Sequence, residues 1–300
     1  MNAYILNFCP TGMVPTKHMN PHTPVSTSEI IEDVLMASEL GASIAHLHAR
    51  DQKTGEPTGD LNTFAAIIEG IRKYNKQLIL CVSLSGRNVS DPALRALPLS
   101  LDGEAKPDMG SLTLSSMNFS TQASINAPGT INYLAGQMAL KGISPEVEIF
   151  DSGMSSCLNS LIKKSLMPPT VYANILLGNL FGAQPSFAHI AAITSSLPGN
   201  VVSSFAGLGS YQLRSNALAL ALAAGHGIRV GLEDNIWFDH ERTTLASNRS
   251  LLERITAIAN LQQLTPATPT QVRERLGLQP GQGRYGLVPV ADQYREAAHG

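Results

Sequence analysis

Two histidines one residue apart, in the run His46-Leu47-His48-Ala49-Arg50-Asp51, end a short apolar segment at residues 43–47. If that segment is a strand, alternation puts both imidazoles on one face and Leu47 on the other, with the imidazoles about 6–7 Å apart along the chain. Two neutral imidazoles at that spacing can converge on one divalent ion. The competing role is a hydrogen-bonded pair in a polar core, and the position at the end of an apolar strand favours the metal. A catalytic site of this kind wants a third protein ligand and one open position. The segment Arg229-Val230-Gly231-Leu232-Glu233-Asp234-Asn235 supplies one, because Arg229, Gly231 and Glu233 share a strand face. Glu233 then completes a His2Glu set that suits Zn²⁺, with Mn²⁺, Fe²⁺ or Co²⁺ as alternatives. The other role for Glu233 and Asp234 is helix N-capping.

Further polar residues fall where strands should end: Ser83 and Ser85, then Ser115, Ser116 and Asn118, then Glu146, Glu148 and Asp151. Hydroxyls there can hold a substrate carboxylate or simply form turns. Glu148 lies inside the apolar run VEIF, and a buried carboxylate needs a partner or a function. Gly207, Gly209 and a helix starting near Ser210 could receive a phosphate.

These groups need a scaffold, and the chain reads as alternating strands and helices. Apolar strands are expected at residues 4–8, 43–47, 77–82, 109–114, 147–150, 171–177, 201–206 and 228–232. Ser26 and Glu29 form a capping box before a helix with Ile30, Ile31, Val34, Leu35 and Leu40 at helical spacing. Asp60 caps a second helix, and others are expected at 131–140, 213–224 and 244–264. Eight such units predict an α/β fold, a closed (β/α)8 TIM barrel in one catalytic domain over residues 1–265. An open doubly wound sheet is the runner-up. Residues 266–300, with breaks at Pro266 and Pro269 and a short helix at 270–276, form a C-terminal extension that wraps a neighbouring subunit, covers the barrel base or stays disordered.

Composition narrows the function. The 300 residues are 43% hydrophobic and 15% charged, with a net charge of −2. That balance gives a sizeable core and no basic face for nucleic acid. No apolar run reaches membrane-spanning length, and the first residues do not resemble a signal peptide. Three scattered cysteines, Cys9, Cys81 and Cys157, suit reduced buried thiols in a cytoplasmic protein.

Taken together, the segments TGMVPTKHMNP, GASIAHLHARD, PEVEIFDSGM and GIRVGLEDN resemble the β-keto acid cleavage enzyme family, in the same order over residues 4–265. The resemblance implies a (β/α)8 barrel, usually tetrameric, with Zn²⁺ on His46, His48 and Glu233. It implies condensation of a β-keto acid with acetyl-CoA to give acetoacetate and a new acyl-CoA. In that pattern Asp234, held by Arg229, is the general base, and Glu148 is an active-site carboxylate. Ser83 and Ser116 grip the substrate carboxylate, Ser116 standing where the family carries a Thr. One position departs: family members that take an amino-bearing substrate have a Glu where this chain has Val14. A cationic substrate would lose its counter-charge, so the expected substrate has an uncharged, apolar or anionic distal end. Lys17 and His18 are candidates to meet an anionic one. A metal-dependent aldolase, an amidohydrolase and a non-catalytic binding barrel are the rivals. The fifth and sixth strands lack the histidines an amidohydrolase would need.

Overall fold

The computed structural model describes residues 3–209 and 216–288. Eight parallel strands close into one barrel: β1 (Leu6–Phe8), β2 (Ile44–Leu47), β3 (Ile79–Val82), β4 (Met109–Thr113), β5 (Ser144–Ile149), β6 (Val171–Leu177), β7 (Val201–Gly207) and β8 (Gly227–Val230), with β8 pairing back to β1. The protein is a (β/α)8 barrel, and the open-sheet alternative is excluded by this closure.

Helices pack round the outside: α1 (Thr27–Glu39), α2 (Leu61–Arg72), the short α3 (Pro92–Arg95), α4 (Pro128–Lys141), α5 (Gly153–Lys163), α6 (Phe187–Ser196), α7 (Asn216–Ala223) and α8 (Asn248–Leu261). The expected capping box opens α1: Ser26 accepts from the Glu29 amide, and the Glu29 carboxylate accepts from the Ser26 amide. Asp60 caps α2 by accepting from the Thr63 amide at 2.8 Å. Among the described residues no helix is long and apolar enough to cross a membrane.

Three departures from the expected elements have local causes. β5 starts at Ser144 rather than at residue 147, because Gly142 ends α4 in the left-handed region (φ 61°) and the chain turns at once into the strand. α5 and α6 were not anticipated: α6 carries weak apolar periodicity, whereas α5 buries Met154, Leu158 and Leu161 at helical spacing, a signal that was present in the sequence and not used. β8 ends at Val230 rather than at residue 232, and residues 231–235 form a tight turn in which the Asp234 and Asn235 amides donate to the Gly231 carbonyl. The expected start of α7, and the proposed phosphate site near Ser210, fall outside the described residues.

The barrel interior is graded along its axis. At the N-terminal end Ile5, Ile44, Ile79, Met109 and Val202 form an apolar floor with Tyr172. A ninth helix, α9 (Pro269–Leu276), packs Val272 and Leu276 onto that floor. Above it come Asn7, Glu146, Asn174 and Ser204, all buried. His48, Glu148 and Arg229 lie toward the C-terminal ends of the strands, where this fold places its active sites. α9 is tied down by Arg273, which donates through Nη1 and Nη2 to Asp108 at 2.8 and 3.0 Å. Asp108 also accepts from Arg72, Leu80 and Gly286.

Asp108→Ala, which strips two buried guanidiniums of their shared counter-charge, is expected to cost about 3–5 kcal/mol in a denaturant titration. A loss below about 1 kcal/mol would mean that this network does not anchor the barrel base.

Candidate active site

β2 delivers His46 directly, and His48 follows at its end. Their Nε2 atoms face each other at 3.3 Å. Glu233 enters from the turn after β8 and puts Oε1 3.3 Å from His48 Nε2 and 3.8 Å from His46 Nε2. The turn, rather than continued strand alternation, is what carries Glu233 over the barrel mouth. Gly12 makes room for it. Gly12 sits at φ 66°, and a Cβ there would lie 2.4 Å from Glu233 Cγ. Asn248, at the start of α8, closes this corner by accepting from the Leu232 amide and donating to the Pro10 carbonyl.

The support beneath His46 is a buried carboxylate. His46 Nδ1 donates to Glu146 Oε2, which also accepts from Cys81 Sγ at 3.1 Å, while Oε1 accepts from Asn7 at 2.7 Å. A cation bound at His46 Nε2 would require that nitrogen to be unprotonated, with the remaining ring proton kept on Nδ1 toward Glu146. Burial opposes a charge on His46, yet the Glu146 and Glu233 carboxylates push its pKa up to about 9. Burial also opposes charge on Glu146, and His46 holds that carboxyl down to about 2. Burial lowers the pKa of His48.

Among the described residues two sets of side chains bring ligand atoms within 4.8 Å of one another: His46, His48 and Glu233, and His46, Cys81 and Glu146. The second set is already satisfied by its own hydrogen bonds. The first is not: Glu233 Oε2 is buried without a hydrogen-bond partner. Two imidazole nitrogens and a carboxylate with an orphaned oxygen are a donor set for a divalent ion with N/O preference. The residues present therefore fit such a metal.

Arg229 organises the opposite wall. Its Nε donates to Asp234 Oδ2 at 3.0 Å and its Nη2 to Glu233 Oε1 at 2.6 Å, and Nη1 lies 3.8 Å from Glu148. Cys9 Sγ adds a donor to Asp234 Oδ2 at 3.2 Å. Burial opposes charge on Glu233, but Arg229, His48 and His46 together lower its pKa well below the ordinary range. Burial instead raises Glu148, which accepts from Thr113 Oγ1 at 2.6 Å.

These groups line a cavity of about 460 Å³. Of the residues singled out from sequence, it brings together Val14, His46, His48, Ser83, Ser85, Glu148, Gly209, Arg229, Glu233 and Asp234. Two lie elsewhere. Ser116 lines a neighbouring cavity, and its hydroxyl accepts from the Asn126 amide at 2.8 Å. Lys17 is exposed and pairs with Glu29 at 2.6 Å. Arg50 of the HLHARD run ties the β1 loop in place by donating to the Gly12 and Pro15 carbonyls at 2.7 and 2.9 Å. Asp51 is a turn former that accepts from the Lys53 and Thr54 amides. Glu146 was noted only as a polar group at a strand end, and Asn7, Cys81 and Thr113 were missed as site residues, because the roles of all four depend on barrel register. Arg87 was missed too: it lines the cavity with its guanidinium stacked 3.5 Å over the Phe119 ring.

Comparison with known proteins bears on this site. A family model described as beta-keto acid cleavage enzyme matches residues 3–278. The 3-oxoadipate:acetyl-CoA acetyltransferase of Cupriavidus necator is 33% identical over 279 residues, covering 91% of this chain and 94% of the relative. The 3-keto-5-aminohexanoate cleavage enzyme of Fusobacterium nucleatum is 30% identical over 279 residues, covering 93% and 99%. A solved ternary complex of ObcA with a C4-CoA adduct and oxalate matches in fold, with a TM-score of 0.73 at 20% identity over 86% of this chain and 68% of that one.

Gly12→Ala combines a left-handed backbone with a Cβ driven into Glu233. It is expected to destabilise the protein by about 1–3 kcal/mol in chemical denaturation. Wild-type stability would show that Glu233 has freedom to move aside.

Proposed function

We propose that this chain, which belongs to the β-keto acid cleavage enzyme family, condenses a β-keto acid with acetyl-CoA and releases acetoacetate and a new acyl-CoA. The observation that carries the reading is the cavity in which His46, His48 and Glu233 face Asp234 across the Arg229 guanidinium. His46, His48 and Glu233 would hold the metal, Zn²⁺ being the ion that best suits His2Glu. When bound it supplies a Lewis acid for the β-carbonyl oxygen of the keto acid.

The remaining work falls to side chains of this chain. Ser83, on the loop after β3, binds the keto acid's carboxylate beside the metal ligands. Asp234 takes a proton from the carbon between carboxylate and carbonyl; the carbanion attacks the thioester of acetyl-CoA and expels the CoA thiolate, which then adds to the original β-carbonyl, so that retro-Claisen cleavage of the old carbon–carbon bond releases acetoacetate and leaves the new acyl-CoA. Arg229 fixes the direction of the Asp234 carboxylate through Nε and Nη2. Its third carboxylate neighbour, Glu148, has a burial-raised pKa and can hold a proton for the cleavage half of the reaction. Met13, Val14 and Pro15 line the cavity from the β1 loop without any acid among them, so an ammonium-bearing distal end has no counter-charge there.

The curated relatives named above and a 3,5-dioxohexanoate:acetyl-CoA acetone transferase from Paraburkholderia graminis, 27% identical, share acetyl-CoA or a keto-acid substrate in their names, which supports the same chemistry here. Leu180, Phe181 and Phe187, all strongly exposed, suit a contact between copies of the chain, and we read the enzyme as a homo-oligomer, a tetramer as in its family, working in the cytoplasm.

A panel of β-keto acids with and without acetyl-CoA tests the activity: acetoacetate should appear only with the thioester, and its formation without acetyl-CoA would instead indicate an aldolase. Asp234→Asn is expected to keep bound metal while kcat falls roughly 10²–10⁴-fold; undiminished turnover would remove Asp234 as the base. Glu146→Gln is expected to weaken divalent-metal affinity about 10–100-fold in chelator competition. Unchanged affinity would mean that His46 needs no support from below.

A further inference from the structure

Among the described residues three arginines line the catalytic cavity, and they differ in what already satisfies them. Arg229 is committed to Asp234, Glu233 and Glu148. Arg242 lies exposed at the rim. Arg87 is partly buried on the loop after β3, and among the described residues its guanidinium makes no hydrogen bond and no ion pair. Its interaction is the stack on Phe119, a ring itself braced edge-on by Phe150 with centroids 5.7 Å apart. Stacking covers a face of the guanidinium and leaves its N–H edge free, the edge that receives a carboxylate in two parallel hydrogen bonds. A partly desolvated cation without a partner loses hydration that only an arriving anion restores. Ser120 and Thr121, beside Phe119 in the lining, add hydroxyls to the same wall.

We propose that Arg87 is the specificity-determining residue for the far end of the substrate, and that this chain selects β-keto dicarboxylates. The inference rests on the keto-acid cleavage reading and deepens it. Ser83, four residues earlier on the same loop, serves the carboxylate next to the reacting carbon; Arg87 serves the distal one. The β1 loop agrees, since Val14 supplies no acid to repel a second carboxylate there.

The test compares 3-oxoadipate with 3-oxohexanoate, six-carbon acids that differ in a distal carboxylate or methyl. Wild type, Arg87→Leu and Arg87→Lys are assayed with acetyl-CoA for acetoacetate, and binding of each acid is measured separately by calorimetry without acetyl-CoA. Wild type should prefer the diacid, the diacid-to-monoacid ratio of kcat/KM should fall about 100-fold in Arg87→Leu, and Arg87→Lys should recover part of it. A ratio that moves less than about threefold, an equal loss on both acids, or a rise only in KM for acetyl-CoA would overturn the assignment. Diacid binding that is lost in Arg87→Leu, with no acetoacetate from any variant, would sustain Arg87 and refute the cleavage reading. Equal diacid binding in wild type and Arg87→Leu would overturn Arg87 even if acetoacetate forms.

Discussion

Everything at the barrel mouth depends on how Glu233 is compensated. Its carboxylate is drawn from solvent into a space bounded by Arg229, His46 and His48, with one oxygen taken by Arg229 at 2.6 Å and the other left without a partner. A buried carboxylate is tolerated only where positive charge surrounds it, and here that charge comes from a guanidinium on one side and from an imidazole pair suited to a cation on the other. The same Arg229 orients Asp234, so the proposed metal ligand and the proposed proton carrier are set by a single side chain. Removing that guanidinium would disturb both at once, and their contributions are not separable by simple addition.

The scaffold makes this concentration of charge possible. Apolar side chains fill the N-terminal end of the barrel and α9 seals it, so the polar layer can rise toward the opposite mouth without opening the core. The Glu146 carboxylate marks the transition. It is fully buried, accepts from Asn7, His46 and Cys81, and orients the His46 ring from below. The loops then complete the site from above: Arg50 pins the β1 loop, Gly12 yields space to Glu233, and Asn248 locks the β8 turn to the β1 loop.

Much of this was legible in the sequence. Period-two alternation at His46 and His48, and the strand-ending RVGLED run, were enough to bring the three metal-ligand candidates together and to count eight barrel units. Alternation gave the right meeting point for Glu233 for an incomplete reason, since the strand ends at Val230 and a turn covers the remaining distance. What stayed hidden depends on how strands stagger against one another. Pairing of Cys81 with His46 and of Glu146 with Tyr172 places groups distant in sequence in one layer, and nothing in local spacing encodes that register. Ser116 and Lys17 illustrate the converse. Both have suitable chemistry at suitable sequence positions, yet local loop geometry turns one to Asn126 and the other to Glu29. Arg87 lay in a Gly/Ser-rich loop without periodicity, and the role proposed for it rests on the Phe119 ring supplied by another loop.

The central claim, that the imidazole pair and Glu233 share one cation, is tested most directly by anomalous diffraction from crystals of the purified enzyme recorded at the zinc absorption edge. The account predicts one strong peak within bonding distance of His46 Nε2, His48 Nε2 and the Glu233 carboxylate. A peak seated instead among His46, Cys81 and Glu146, or Glu233 turned away from an ion held by other groups, would contradict it.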